Sequence, residues 1–288
     1  MTESQNNLLK VSDTLSIGKT GKIAINFIGK GNIWLKNTYK EDTTSLARYI
    51  ISKAIFQTEV GQLSLIGYDA GYSGVFAPFS SLTSGVNKQL ELIKDNKELE
   101  HLFEFIGIQI QAVQNVIQGR KSNLIDFRKS INRPVESFKL IVLYMNFQTL
   151  SLPQLAKLST LLQRGPASGI SFLLIPSNNK LPENQLPTDL DENIKILSAQ
   201  GNSRAVILSD DLQKVADGAD YTPLDIDNII KRSEGFIDKI KSAPLPTVTF
   251  NEISDLQHFW TESSENGVTF SVGKYGDSTV DVTIGDEV

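Results

Sequence analysis

The sequence predicts an α/β fold, a mostly parallel sheet with helices on both faces. Three observations predict it. Short apolar runs alternate with stretches of helical period. Most of the runs are buried-strand material, dominated by Ile, Leu, Val and Phe, the composition of strands covered on both faces. The intervening helices supply the long crossovers that parallel neighbours require.

Strands are expected at residues 32–35, 61–66, 138–144, 170–175, 193–197 and 203–208. Between the first two, Leu46, Ile50 and Ala54 recur at every fourth residue. Leu102, Ile106, Ile110, Val113 and Ile117 mark a long amphipathic helix that stops before Gly119-Arg120. After the central strand, Ser151-Leu152-Pro153-Gln154 offers a capping hydroxyl, an early proline and a Gln able to reach back. Leu155, Leu158 and Leu162 then form the apolar stripe, and Gly165 ends it.

Composition narrows the function classes. The 288 residues carry 28 Lys+Arg against 33 Asp+Glu, a formal charge of −5, with 40% apolar residues. That is ordinary globular composition. The longest apolar run, 140–145, is far too short for a bilayer, and residues 1–10 are too polar for a signal peptide, so the chain is expected in the cytoplasm, away from membranes. With no Cys and only two His, His101 and His258, no disulfide, thiol nucleophile or zinc site is expected, and no metal. The acidic balance argues against a chain that coats nucleic acid, although a local basic groove survives.

Proline-rich stretches mark connectors: residues 176–189 read as a surface loop, and 242–247 as a semi-rigid linker after a helix over 224–241. The expected organisation is a first module over 13–245, a linker over 246–267 and the truncated start of a second module over 268–288. A repeat supports this. Ser16-Ile17-Gly18-Lys19 with Gly21 and Gly29 returns as Ser271-Val272-Gly273-Lys274 with Gly276 and Gly285.

The first strand, a loop over 36–44 and the following helix form the setting in which phosphate-binding loops occur. Such a loop needs glycines to curl its N–H groups around phosphates, a lysine for their charge and a hydroxyl for magnesium. This one reads Lys36-Asn37-Thr38-Tyr39-Lys40-Glu41-Asp42-Thr43-Thr44 and keeps only the hydroxyl. Glu41 and Asp42 would repel a triphosphate and favour the helix N-terminus themselves. Gly18-Lys19-Thr20 and Gly273-Lys274 lack the upstream glycine and sit in hairpin-like segments. The central strand ends Met145-Asn146, without the carboxylate needed to hold magnesium or activate water.

These residues resemble the ATPase core of the FtsK/SpoIIIE/HerA group of DNA translocases and their secretion-type relatives, with the catalytic signatures eroded. That family carries Asp-Glu-Phe-x-x-Leu after the central strand, where this chain has Met145-Asn146-Phe147-Gln148-Thr149-Leu150. The family's Gly-Arg-Ala-x-Gly-Ile appears as Gly165-Pro166-Ala167-Ser168-Gly169-Ile170, and Ile175-Pro176-Ser177 stands at its Ala-Thr-Gln strand end. The P-loop lysine falls on Thr43. Residues 61–79, with Tyr68-Asp69 and Phe76, resemble the segment after the second strand, and Asn193 with Ser203-Arg204 a late motif. Residues 260–274 are similar to the family's lead-in to its nucleotide loop. The resemblance covers about 13–210 and 259–288. It implies a RecA-like fold with a degenerate pocket at Asn37, Lys40, Asp42, Thr43, Thr44, Met145, Asn146 and Ser177, no bound cofactor and no catalytic residue.

Trp34 and Trp260 read as packing anchors, His101 as a capping or surface residue, and the aspartates from Asp210 to Asp227 as caps and turn residues. Arg120, Lys121, Arg128, Lys129 and Arg133 form the densest basic cluster; they read as a solvated loop and as the candidate contact to nucleic acid. The function expected is that of a non-catalytic module, a fragment of a larger DNA-translocase-type protein, serving assembly, regulation or partner binding. Its partners would be further modules of the same protein, other subunits or copies of itself, and DNA in the full assembly. Two alternatives stay open: a peptide-binding pseudo-ATPase of secretion type, and an active NTP-driven DNA motor.

Overall fold

Strands with long apolar runs, such as 140–145 and 172–175, are stable only where both faces are covered, and helices cover both here. The computed structural model describes residues 13–17, 23–36, 40–58, 61–84, 89–117, 120–131, 135–178, 194–200, 205–208, 215–216, 231, 234, 268–275 and 278–284. The chain divides into two compact units, Met1–Lys241 and Ser242–Val288.

In the first unit, β1 (Thr14–Ile17) and β2 (Ile23–Asn26) form an antiparallel ribbon, and β3 (Asn32–Lys36) leads into α1 (Lys40–Gln57). β4 (Leu63–Asp69) and a 3₁₀ turn over Ala77–Thr83 precede β5 (Leu90–Ile93), which is followed by α2 (Asn96–Ile117), α3 (Leu124–Ile131) and β6 (Phe138–Met145). α4 (Leu152–Arg164) crosses to β7 (Ile170–Pro176), and β8 (Ile194–Gln200), β9 (Ala205–Leu208) and β10 (Val215–Ala216) follow. The sheet order is β10-β9-β8-β3-β7-β6-β4-β5. All five pairings from β8 to β5 are parallel, while β9 and β10 return antiparallel.

The period of two sorts each strand between two cores. On β6, Leu140, Val142 and Tyr144 join the layer under α1, whereas Ile141, Leu143 and Met145 join the layer under α2 and α4. On β3, Ile33 and Leu35 face α1 and Trp34 faces the other way. Burying each such side chain contributes about 1.5–3 kcal/mol. Trp34 is the packing anchor its isolation suggested: it is buried, with its ring 5.1 Å from that of Phe147.

α4 carries the foreseen capping box: Ser151 accepts from the Gln154 N–H, and the Gln154 carboxamide accepts from the Ser151 N–H at 2.8 Å. The second strand is displaced from the expected 61–66. Gly61, at φ +79, belongs to the turn before it, and the strand runs on to Asp69 through its pairing with β6, Asp69 beside Tyr144; Gly67 within it lies under Phe76, whose Cζ would be 2.4 Å from a β-carbon there. β5 and α3 were not foreseen. β5 is only four residues long, and α3 fell within the basic cluster read as a loop; its Leu124, Ile125 and Phe127 are buried, which makes it a packed helix. His101 lies in the second turn of α2 and is exposed, so it caps nothing; the cap is Asp95, whose carboxylate accepts from the Glu98 N–H at 2.8 Å.

In the second unit, β11 (Val268–Tyr275) and β12 (Ser278–Ile284) pair antiparallel, with an irregularity between Ser271 and Gly273. Both copies of the repeat therefore contain a two-stranded ribbon, but Ser16 stands opposite Ala24 near the end of β1, whereas Ser271 stands opposite Asp281 within β11. The loop expected beyond Asn178, the linker over 246–267, Trp260, His258 and the aspartates from Asp210 to Asp227 lie outside the described residues, as does the helix expected over 224–241 except for Lys231 and Glu234, which are helical.

Candidate functional site

Parallel strands deliver their carboxyl ends to one edge, so β3, β4, β6 and β7 open onto the same side of the sheet. The chain leaves β3 toward β4, beyond β7 and β6, and later passes from β7 to β8 on the other flank of β3. The crevice outside β3 is thus a topological switch point, where open α/β sheets hold ligands.

The expected loop over 36–44 is shorter than its sequence suggested. α1 begins at Lys40, so only residues 37–39 separate strand from helix, and Asn37 lies outside the described residues. Lys40, Glu41 and Asp42 form the first helical turn, with both carboxylates where the helix N-terminus is most positive. Thr43 is fully buried and Thr44 nearly so; the Thr43 hydroxyl donates to the Lys36 carbonyl at 3.4 Å. The position of a phosphate-binding lysine thus holds a short neutral side chain turned into the protein. These residues do not fit a magnesium–nucleotide complex: the positive end of α1 is answered by its own acids, and the buried Thr43 stands at the position of the phosphate-binding lysine.

Across the edge, Asn146 follows β6 and spends its carboxamide oxygen as a cap, accepting from the Gln148 N–H at 3.1 Å. Ser177 donates its N–H to the carbonyl of Met145 at 2.9 Å, and Ala70 donates to that of Tyr144 at 3.0 Å, so the ends of β4, β6 and β7 are laced together. The structure therefore brings Met145, Asn146 and Ser177 together, and places Lys40, Asp42, Thr43 and Thr44 at the start of α1. After β4, the Asp69 carboxylate accepts from the N–H groups of Ser73 and Gly74 and from the Ser73 hydroxyl at 2.9–3.0 Å. That acid is committed to a turn. The turn presents Tyr72 at φ +47 with its side chain in solvent.

The Gly165–Ile170 segment keeps its glycines for packing reasons. A β-carbon on Gly165 would lie 2.6 Å from the Leu161 carbonyl oxygen, and Gly169 takes φ +79 against Leu124. Pro166, at the arginine position of the resembled motif, is buried and offers no charge.

The basic cluster does not survive as a unit. Arg120, Lys121 and Lys129 are exposed, and Arg133 lies outside the described residues. Arg128 is only 3% exposed, lying 4.8 Å over the Phe138 ring and donating to Gln62 Oε1. Burial lowers its guanidinium pKa to about 10, and its Nε and Nη1 meet no partner among the described residues. It cannot reach a phosphate, which corrects its assignment as a nucleic-acid contact. The reason is helical: Leu124, Ile125, Phe127 and Arg128 share the buried side of α3. Among the described residues, no group of three or more His, Cys, Asp or Glu could hold a metal ion, and no helix is long and apolar enough to cross a membrane.

Sequence reasoning missed a groove beside β5, lined by Ile66, Ile93, Leu102 and Phe105. The signal available was Phe105 and Ile108 on what should have been the polar face of α2.

No family model matches the sequence, and no curated protein does. Solved structures do. The chain is similar to EssC (ATPases 2 and 3) from Geobacillus thermodenitrificans at 12% identity and a TM-score of 0.59, over 95% of this chain and 59% of that one. It is similar to Thermomonospora curvata EccC (ATPases 2 and 3), solved in complex with a signal sequence peptide, at 15% identity and a TM-score of 0.54, over 91% and 52%. A third likeness, to the cytoplasmic domain of the Thermomonospora curvata Type VII Secretion ATPase EccC, has 12% identity and a TM-score of 0.57 over 96% and 36%. The chain thus has the RecA-like α/β fold of these ATPase domains. The chain spans a little over half the length of the first two structures.

Proposed function

We propose that this chain is a non-catalytic ATPase-fold module of the FtsK/SpoIIIE/HerA type, acting inside a larger assembly by organising subunits or binding a partner. The observation that carries this is the start of α1, where Glu41 and Asp42 occupy the anion-binding turn and a buried Thr43 replaces the lysine. Asn146 adds to it: a neutral side chain already used as a cap cannot balance magnesium or act as a base. The test is turnover. With magnesium and saturating ATP, phosphate release is expected at the buffer blank, and release proportional to protein concentration would return the chain to the motor class.

Partner binding is favoured over DNA handling by charge and by geometry. The net charge is −5, and the exposed basic residues of the 120–133 stretch are few once Arg128 is buried. Cytoplasmic placement, and further modules as neighbours, belong to this proposal.

A further inference from the structure

We propose that the outer face of α2 is an interface between two copies of this chain, in which the two α2 helices pack antiparallel about a two-fold axis. α2 carries two stripes. The stripe that runs from Leu99 to Ile117 is buried in its own chain. On the opposite side Phe105, Ile108, Ala112 and Asn115 recur at spacings of three and four, with Val116 beside them, the spacing at which one helix meets another along a seam. Phe105 is 48% exposed, Ile108 70% and Val116 48%, and Ala112 and Asn115 are exposed with them. The outer face of a helix in water ordinarily carries charge. Here no residue from Phe105 to Ile117 is charged, in a chain of which 21% of the residues are. The Gln111 carboxamide donates to that of Asn115 at 2.9 Å, so these two polar side chains of the face are bonded to each other.

Charge identifies the occupant. Around a two-fold axis each group stands near its own copy, so the centre of a self-complementary surface has to be free of charge. The centre of this seam is free of it, and the charges lie beyond its ends. Glu100 and Glu104 stand at one end, with Lys157 3.5 Å from Glu104. Exposed Arg120 and Lys121 follow the other end and stay beside it, because both their N–H groups donate to the Ile117 carbonyl. A parallel pair would set each of these charges against its own copy. An antiparallel pair brings the acids of one copy level with the cations of the other and opposes the two helix dipoles favourably. With Ile108 of one copy beside Ala112 of the other, large meets small, Phe105 covers Asn115 and Val116, and Glu100 comes level with Arg120. Nucleic acid, which binds through its phosphates, finds no cation in the seam. From Phe105 to Val116 the seam is about 17 Å long, so the contact is at the small end of specific interfaces and the dimer is weak. This inference rests on the subunit-organising half of the proposed function. ATP turnover tests that reading without involving α2, so a chain that is monomeric and hydrolyses no ATP overturns this inference alone.

The experiment is sedimentation equilibrium of the full chain over a range of concentrations. A monomer–dimer equilibrium is expected, with a dissociation constant on the order of tens of micromolar. Ile108→Glu is expected to weaken it roughly tenfold or more; because Ile108 is exposed, the circular dichroism of the variant monomer should match that of the wild type. Reversing one end, Glu100→Lys with Glu104→Lys, is expected to weaken the dimer about fivefold, and adding Arg120→Glu with Lys121→Glu is expected to restore it. A chain that stays monomeric at about 0.5 mM overturns the proposal. So does a dimer that Ile108→Glu leaves intact, which would move the contact to another surface. Failure of the second reversal to rescue the first overturns the antiparallel pairing and with it the interface described.

Discussion

The ends of β4, β6 and β7 and the end of β3 lie on the same edge of one sheet, yet they differ in what holds them. The first three are fastened by main-chain hydrogen bonds, Ala70 to Tyr144 and Ser177 to Met145, and by the turn that Asp69 closes. None of those bonds depends on whether a side chain at the strand end can do chemistry. At β3, pairing with β8 runs to Lys36 beside Ser198, the Thr43 hydroxyl donates to the Lys36 carbonyl, and the first turn of the helix that follows is acidic in front with Thr43 and Thr44 buried behind. On the function proposed here, the contrast teaches that frame and chemistry use different atoms, so the frame of such an edge does not depend on the chemistry.

Breaking the frame should have the largest effect. Phe172 is fully buried in the layer under α2 and α4, and Phe172→Ala should cost about 3–5 kcal/mol in urea unfolding. A cost under about 1 kcal/mol would mean that β7 is not the packed centre described here. Attempting to restore the chemistry should come next. Thr43→Lys returns the missing lysine, but at a fully buried site, so it should cost about 2–3 kcal/mol and leave ATP affinity unchanged. A gain in ATP binding by that variant would show that position 43 still faces the nucleotide crevice.

The third prediction concerns the misassigned cation. Arg128 is buried against two neutral groups, the Gln62 carboxamide and the Phe138 ring, so Arg128→Met should raise stability at pH 7, by about 1 kcal/mol. The sign with pH follows from its lowered pKa. Below about 10 the guanidinium is charged in both states and its desolvation penalty is fully present; between about 10 and the higher value of a free guanidinium the unfolded chain binds more protons, so wild-type stability rises and the advantage of Met shrinks. Clear destabilisation by Arg128→Met at pH 7 would instead make the stack on Phe138 the dominant contact. The smallest effect is expected from charge reversal at Arg120 and Lys121. With three exposed cations described in this stretch, Arg120, Lys121 and Lys129, duplex DNA should bind weaker than micromolar near physiological salt, and the reversal should remove only the low-salt remainder.

The fold was legible because its strands and helices keep their periods: β6 and β7 fall within a residue of their expected ends, and the cap of α4 sits on the residues that signalled it. β5 escaped notice because four residues flanked by charge carry too little pattern, although its backbone places it at the sheet edge. Of the candidate site, residue identities were enough to show that the loop after β3 has neither glycines nor a lysine at position 43 and that no acid ends β6. They could not show that α1 starts at Lys40, since Lys40-Glu41-Asp42 is as compatible with a loop as with an acidic first turn. Arg128 was misplaced for a related reason. Four cations within ten residues look like a surface, and only the helical spacing of Leu124, Phe127 and Arg128 shows that one of them turns inward.

The central claim is that the end of β3 no longer holds a nucleotide. Calorimetric titration of magnesium–ATP into the intact chain tests it most directly. The expected result is heat that does not saturate below about 1 mM, an affinity worth no more than about 4 kcal/mol. Saturation at micromolar ATP would contradict it, and would mean that residues 37–39 and the first turn of α1 rearrange into a phosphate-binding loop despite Glu41 and Asp42.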